Sequence, residues 1–180
     1  MSSPPPNRSL LRRMIRASLL EADLFEEVEA EHRSIGQAFL VVLFATAAGG
    51  LGSVLGGHGL RHVAIDVMEP FVLWLAGSVF SYMVGATFLR GPETVTDYAE
   101  VLRTTGFAFS PGIFRVLAAV PPPTLGFALT VATDLWMLVA GIIAVRQALD
   151  FTTLRAIATF GVSYLLLWLT LSGLLISLPL

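Results

Sequence analysis

The feature that most constrains this chain is the grouping of its apolar residues into long blocks rather than into a stripe of 3.6-residue period. Blocks of that kind are the pattern of membrane-spanning helices, which need about 20 apolar residues each. Five spans are predicted, at about residues 35–57, 67–89, 105–120, 124–145 and 156–178. The third is short, carries Arg115 and is interrupted by Pro111, which predicts a kink or a re-entrant start, and the fourth carries Asp134. Each of these charges is disfavoured in lipid by ~2.5–3.5 kcal/mol on insertion scales. Pro121, Pro122 and Pro123 join the two spans in a rigid turn. The other spans are expected to pack around this broken hairpin, with Arg115 and Asp134 buried against protein.

Composition supports that class. Of 180 residues, 13% are charged, against roughly 25% in average soluble domains. The length allows one bundle and no second soluble domain. A net charge of −2 gives no bulk basic character for nucleic acid. The absence of Cys excludes disulfides, thiol catalysis and cysteine zinc sites. All eleven cations are Arg, a usage associated with high-GC bacteria. The first apolar block starts too far in for a cleaved leader, so it is expected to act as an uncleaved signal-anchor.

Three parts are expected: a Pro-rich flexible tail over residues 1–7, a cytoplasmic or interfacial amphipathic helix within residues 8–33, and the five-helix bundle over residues 34–180. In the second part, Leu10, Leu11, Met14, Ile15, Leu19, Leu24, Phe25 and Val28 recur at three- and four-residue spacing over one predicted helix from Arg8 to Glu31. Arg8, Arg12, Arg13 and Arg16 crowd its first half and acidic residues its second. The basic half suits an anionic lipid surface. A solvated helix packed on the bundle is the alternative.

Small residues recur every four positions in the first two spans: Gly49 and Ser53, Gly52 and Gly56, then Gly77, Ser81 and Gly85. Such faces let helix backbones approach closely in lipid. They pack on each other or form an oligomer contact. Between these spans, His58, His62 and Asp66 are spaced by four, with Glu69 three further on. On a helix they would share a face, but flanking Gly57 and Gly59 favour an interfacial polar loop over a zinc site. With the N terminus cytoplasmic, nine of the eleven arginines fall inside and Arg61 alone falls outside. That asymmetry predicts a cytoplasmic N terminus and an external C terminus.

The stretches LRTTGFAFSP (102–111) and AVRQALDFTTLRA (144–156), with Gly91, Pro121, Gly126 and Trp136, resemble the Yip1-domain membrane proteins in their bacterial form. FEEVEAEHRSIGQAFLVV (25–42), running into a Gly/Ala-rich span, is similar to bacterial members as well. The resemblance implies a five-helix bundle with a cytoplasmic N-terminal region in the bacterial inner membrane. Eukaryotic members are linked to vesicle traffic and small GTPases. That role is not carried over, because the short N-terminal region lacks their acidic-aromatic motif.

No GxSxG, HExxH or phosphate-binding Gly loop is present, so hydrolase, protease and nucleotidase readings have no motif. Arg115 and Asp134 are expected to form a structural ion pair; the alternative is a polar path for a proton or ion. The expected function is accordingly non-enzymatic and without a cofactor: a protein that organises membrane or packs against a membrane-protein partner or a second copy, as an accessory subunit. A small transporter or channel using Arg115 and Asp134 is the alternative.

Overall fold

The computed structural model describes residues 9–91, 96–120 and 122–177, with side chains through residue 172. The expectations for the tail at residues 1–7, Arg8, Pro121, residues 92–95 of the second connection and the last span's end at Leu178 lie outside the described residues. The described chain is helical throughout. α1 (Leu10–Ser18) and α2 (Ala22–Ala30) precede α3 (Ser34–Leu55) and α4 (Leu60–Met83), which runs on through a π turn (Val84–Phe88). α5 (Tyr98–Phe107) leads into a 3-10 segment (Ser110–Ala119), followed by α6 (Pro123–Ala148) and α7 (Thr153–Ser177).

Among the described residues, four helices are long and apolar enough to cross a membrane: α3, α4 with its π turn, α6 and α7. Their surfaces fit that reading. Leu165, Trp168 and Leu169 of α7 and Leu135 of α6 are large apolar side chains left exposed. The core lies between the helices at the end where α1 and α2 dock. There Met14, Leu24, Phe25 and Val28 pack with Val41, Phe107 and Ala144. A second cluster joins Val101 to Val145 and Leu149.

The predicted third span departs from expectation. Residues 105–120 do not form one short kinked helix: α5 ends at Phe107, and the chain continues as ten residues of 3-10 helix. A 3-10 run of more than three or four residues is uncommon. Here Pro111 stands in its first turn, and α3 supplies a surface that accepts it closely. A Cβ on Gly52 would lie 2.7 Å from the Arg115 carbonyl oxygen, and one on Gly112 2.8 Å from Ala45 Cβ. The small face of α3 is thus a bed for this segment. Pro122 precedes the first residue of α6, and Pro123 is that residue. There its missing N–H leaves no bond unmade.

The predicted single helix from Arg8 to Glu31 is also corrected. It breaks over Leu19–Glu21, where Leu20 takes a left-handed φ of 61°. A residue of this type spends roughly 1–2 kcal/mol in that region. The fold recovers it by turning the acidic half back across the basic half, which a straight helix keeps apart. Arg13 Nη2 then reaches Glu27 and Glu31, both at 2.6 Å, and Arg16 reaches Glu21 and Glu27, both at 2.7 Å.

Candidate functional site

The 3-10 segment, α4 and α6 converge on one guanidinium. Arg115 donates to Asp134 Oδ1 from Nε at 3.1 Å and from Nη2 at 2.7 Å, and to Glu69 Oε2 from Nη1 at 3.4 Å. The chain geometry explains why Arg115 and Asp134 meet. Arg115 stands six residues before the prolines and Asp134 eleven after them, a mismatch of roughly 8 Å if both were α-helical. The 3-10 rise of ~2.0 Å per residue stretches the shorter arm and leaves about 4–5 Å. An Arg side chain spans that.

Two cavities meet at this triad. The inner one, about 240 Å³, lies between α4, α6 and α7; Trp74, Phe109, Phe160 and Tyr164 supply aromatic walls, and Ser78 and Thr105 a polar corner. The outer one, about 310 Å³, is lined by Ser53, His58, His62, Asp66 and Thr130. Glu69, Arg115 and Asp134 line both. They stand as a charged boundary, called the neck below, between an apolar chamber and a polar vestibule.

The remaining sequence-derived candidates sort as follows. His58 precedes α4, while His62 and Asp66 lie on it. The two imidazole rings are 5.8 Å apart, and Ser53 donates to Asp66. Among the described residues, no group of three or more His, Asp or Glu side chains is arranged to hold a metal ion. Gly49 faces Asp66 of α4, Gly56 faces His58, and Gly85 faces Leu149. These small residues are therefore turned onto other segments of the chain and do not pair the two faces with each other. Gly77 and Ser81 line the inner cavity.

Of the arginines expected to touch lipid, Arg12 is exposed and Arg13 is buried. Arg13 turns inward because Glu27, Glu31, Ser34 and Gln37 all accept from it. Burial alone would push the Glu27 carboxyl up, but hydrogen bonds from Arg13 and Arg16 hold it below the usual range. The Glu21 hydrogen bond, opposed by burial and helped by Glu27, raises Arg16. On the neighbouring face of α2, burial pushes Glu29 up to about 7, with Asp150 and Glu100 adding to the effect.

Sequence reasoning missed Glu69 as the third member of the neck. The signal was available: it is a lone carboxylate inside a predicted apolar span. Nothing in the sequence pointed to the bond from Trp136 Nε1 to the Ser18 carbonyl, which ties α1 to α6. Among the described residues these features define an all-helical fold with four helices long and apolar enough to cross a membrane and a charged neck bordering two cavities. Comparison with protein-family models, with curated proteins and with solved structures finds no match.

Proposed function

We propose that this chain is a non-enzymatic, bacterial inner-membrane protein that admits a small solute or ion to the neck formed by Glu69, Arg115 and Asp134. The observation that carries this reading is the sharing of all three residues by two cavities. The sequence offered two intramembrane charges, too few for a path. The fold adds Glu69 at the neck and Asp66, His58 and His62 along the outer approach.

Five crossings belong to this proposal. The end of α5 and the 3-10 segment, over residues 105–120, supply the fifth. The arginine distribution supports a cytoplasmic N terminus and an external C terminus. An impermeant thiol reagent should then label Ser177→Cys and spare Ser2→Cys; the reverse labelling overturns the orientation. Leu11, Ile15 and Leu19 form an exposed apolar row along and just beyond α1, which suits an amphipathic helix at the cytoplasmic interface. The bacterial Yip1-domain resemblance is part of the same reading.

Proteoliposomes test the function. Uptake of protons, sodium, phenethylammonium, phenylacetate and 2-phenylethanol should be compared with protein-free vesicles. At least one flux should rise with protein and disappear in Asp134→Asn, which keeps the side-chain shape and removes the charge. Background flux for all five overturns the solute reading. The second reading, an accessory subunit packed against a membrane-protein partner or a second copy, then takes its place; the exposed Leu11, Ile15 and Leu19 row favours it.

A further inference from the structure

We infer that the inner cavity binds a small hydrophobic monocation, an ammonium group on a single-ring or short alkyl body. The inference rests on the reading of the neck as a solute site and names the solute's class.

Charge makes the first selection. The neck sets one guanidinium against two carboxylates, a formal excess of one negative charge, and Asp66 in the vestibule adds to it. Arg115 directs its bonds to Asp134 Oδ1 and Glu69 Oε2. Asp134 Oδ2 and Glu69 Oε1 are the acceptors that an incoming ammonium would reach. An anion would have to displace one of these carboxylates, because Arg115 is the sole cation among the described lining residues of the inner cavity. A divalent metal ion lacks the three or more clustered ligands it needs among the described residues.

The walls make the second selection. Trp74, Phe109, Phe160 and Tyr164 present ring surface, which favours an apolar body and attracts a cation lying over a ring face. The polar corner is internally engaged: the Ser78 and Thr105 hydroxyls are 2.8 Å apart, and each has a backbone carbonyl within hydrogen-bond reach, Trp74 for Ser78 and Val101 for Thr105, so two hydroxyl protons serve three contacts. Size makes the third selection. A volume of about 240 Å³ lies below the ~300–1,000 Å³ of pockets for drug-sized ligands. It holds roughly eight waters at ~30 Å³ each.

The test is equilibrium dialysis of the full-length protein in detergent, corrected for empty micelles, at neutral pH. The probes are phenethylammonium, 2-phenylethanol and phenylacetate, which share a ring and differ in charge. Phenethylammonium should bind about tenfold or more tighter than the other two, and Asp134→Asn should weaken it about tenfold, the equivalent of ~1.4 kcal/mol. Gly77→Leu is the second variant. Gly77 lines the cavity, and a Cβ there meets nothing within 4 Å, so a larger side chain at this position starts in open space. It should abolish phenethylammonium binding with the melting temperature unchanged.

Equal or tighter binding of the alcohol or the carboxylate overturns the cation assignment, even if the vesicle experiment has found a flux. Full-strength phenethylammonium binding in both Asp134→Asn and Gly77→Leu overturns the location. Binding of none of the three probes overturns the inference outright; the solute reading is then judged by its own flux measurement with protons and sodium.

Discussion

Arg13 and Arg115 each face two carboxylates, and the contrast between their surroundings separates a structural charge network from an open one. The Arg13 side chain is 2% exposed, and its partners Glu27 and Glu31 are 23% and 20% exposed. Ser34 and Gln37 complete its shell. The Arg115 side chain is 12% exposed, but Glu69 and Asp134 are 43% and 46% exposed, because they face cavities. The first network is closed by protein on every side that the hydrogen bonds use. The second leaves carboxylate oxygens available to something else. The difference teaches that a buried arginine is informative only together with the exposure of its partners.

The largest expected effect lies at the closed network. Arg13→Met removes the one cation that bridges Glu27 and Glu31, leaving Glu27 with Arg16 alone and Glu31 with the Ser34 hydroxyl beside the apolar core of α1 and α2. Breaking a buried pair by removing one partner typically costs ~3–5 kcal/mol. Thermal unfolding in detergent should show this loss, with solute flux per folded molecule unchanged. A melting temperature equal to that of the parent chain would dissolve the contrast.

A smaller effect is expected at the neck. Asp134 and Glu69 are nearly half exposed, so the coupling between Arg115 and Asp134 should be ~1 kcal/mol or less, in the range of exposed pairs. The measurement is a double-mutant cycle with Arg115→Leu and Asp134→Leu. A coupling as large as the loss in Arg13→Met would mean that the neck is as closed as the Arg13 shell. Strict additivity would mean that the two side chains do not interact.

The smallest effect concerns Glu29, which borders the closed network but does not belong to it. Burial, Asp150, Glu100 and Glu26 raise its carboxyl from 4.5 to about 7, against the pull of Arg103. Between those values the folded state keeps a proton that the unfolded state has released. Stability therefore falls as pH rises through that window. Because Glu29 is only half-buried, the change should be ~1 kcal/mol after allowance for water screening. Glu29→Gln should flatten the fall and raise the melting temperature at pH 8. Glu27 has the opposite sign: its lowered carboxyl stabilises above its unfolded value, and that contribution is lost as pH falls through the folded one. An unaltered pH profile in Glu29→Gln would show that the group is solvated like an ordinary surface carboxylate.

Much of the fold was legible because apolar block length is a one-dimensional property. Spans predicted at 35–57, 67–89, 124–145 and 156–178 fall on α3, α4 with its π turn, α6 and α7. The region around Arg115 was less legible. Pro111 announces an interruption, but whether the chain then kinks or winds into a long 3-10 run depends on what lies beside it. That neighbour is the small face of α3, distant in sequence. Likewise, the apolar spacing from Leu10 to Val28 is consistent with one continuous helix. The fold-back at Leu20 becomes favourable only when both apolar faces find the same core.

By itself the sequence determined the chain's class: all-helical, built on long apolar blocks; of the five spans it predicts, four fall on helices that, among the described residues, are long and apolar enough to cross a membrane. Hydrophobic block length, proline position and charge sparsity act locally and survive any arrangement of neighbours. Tertiary structure alone decided which charges would be sealed and which left open. Arg13 and Arg115 are the same residue type, each within reach of two acids, and nothing in their local sequence distinguishes their fates. Arg13 is enclosed because α2 folds back against α1 and the start of α3. Arg115 stays accessible because α4, α6 and α7 leave a cavity on one side of it and the loop before α4 lines a vestibule on the other. Desolvation is set by what packs around a side chain, and that becomes defined only once the helices are in place.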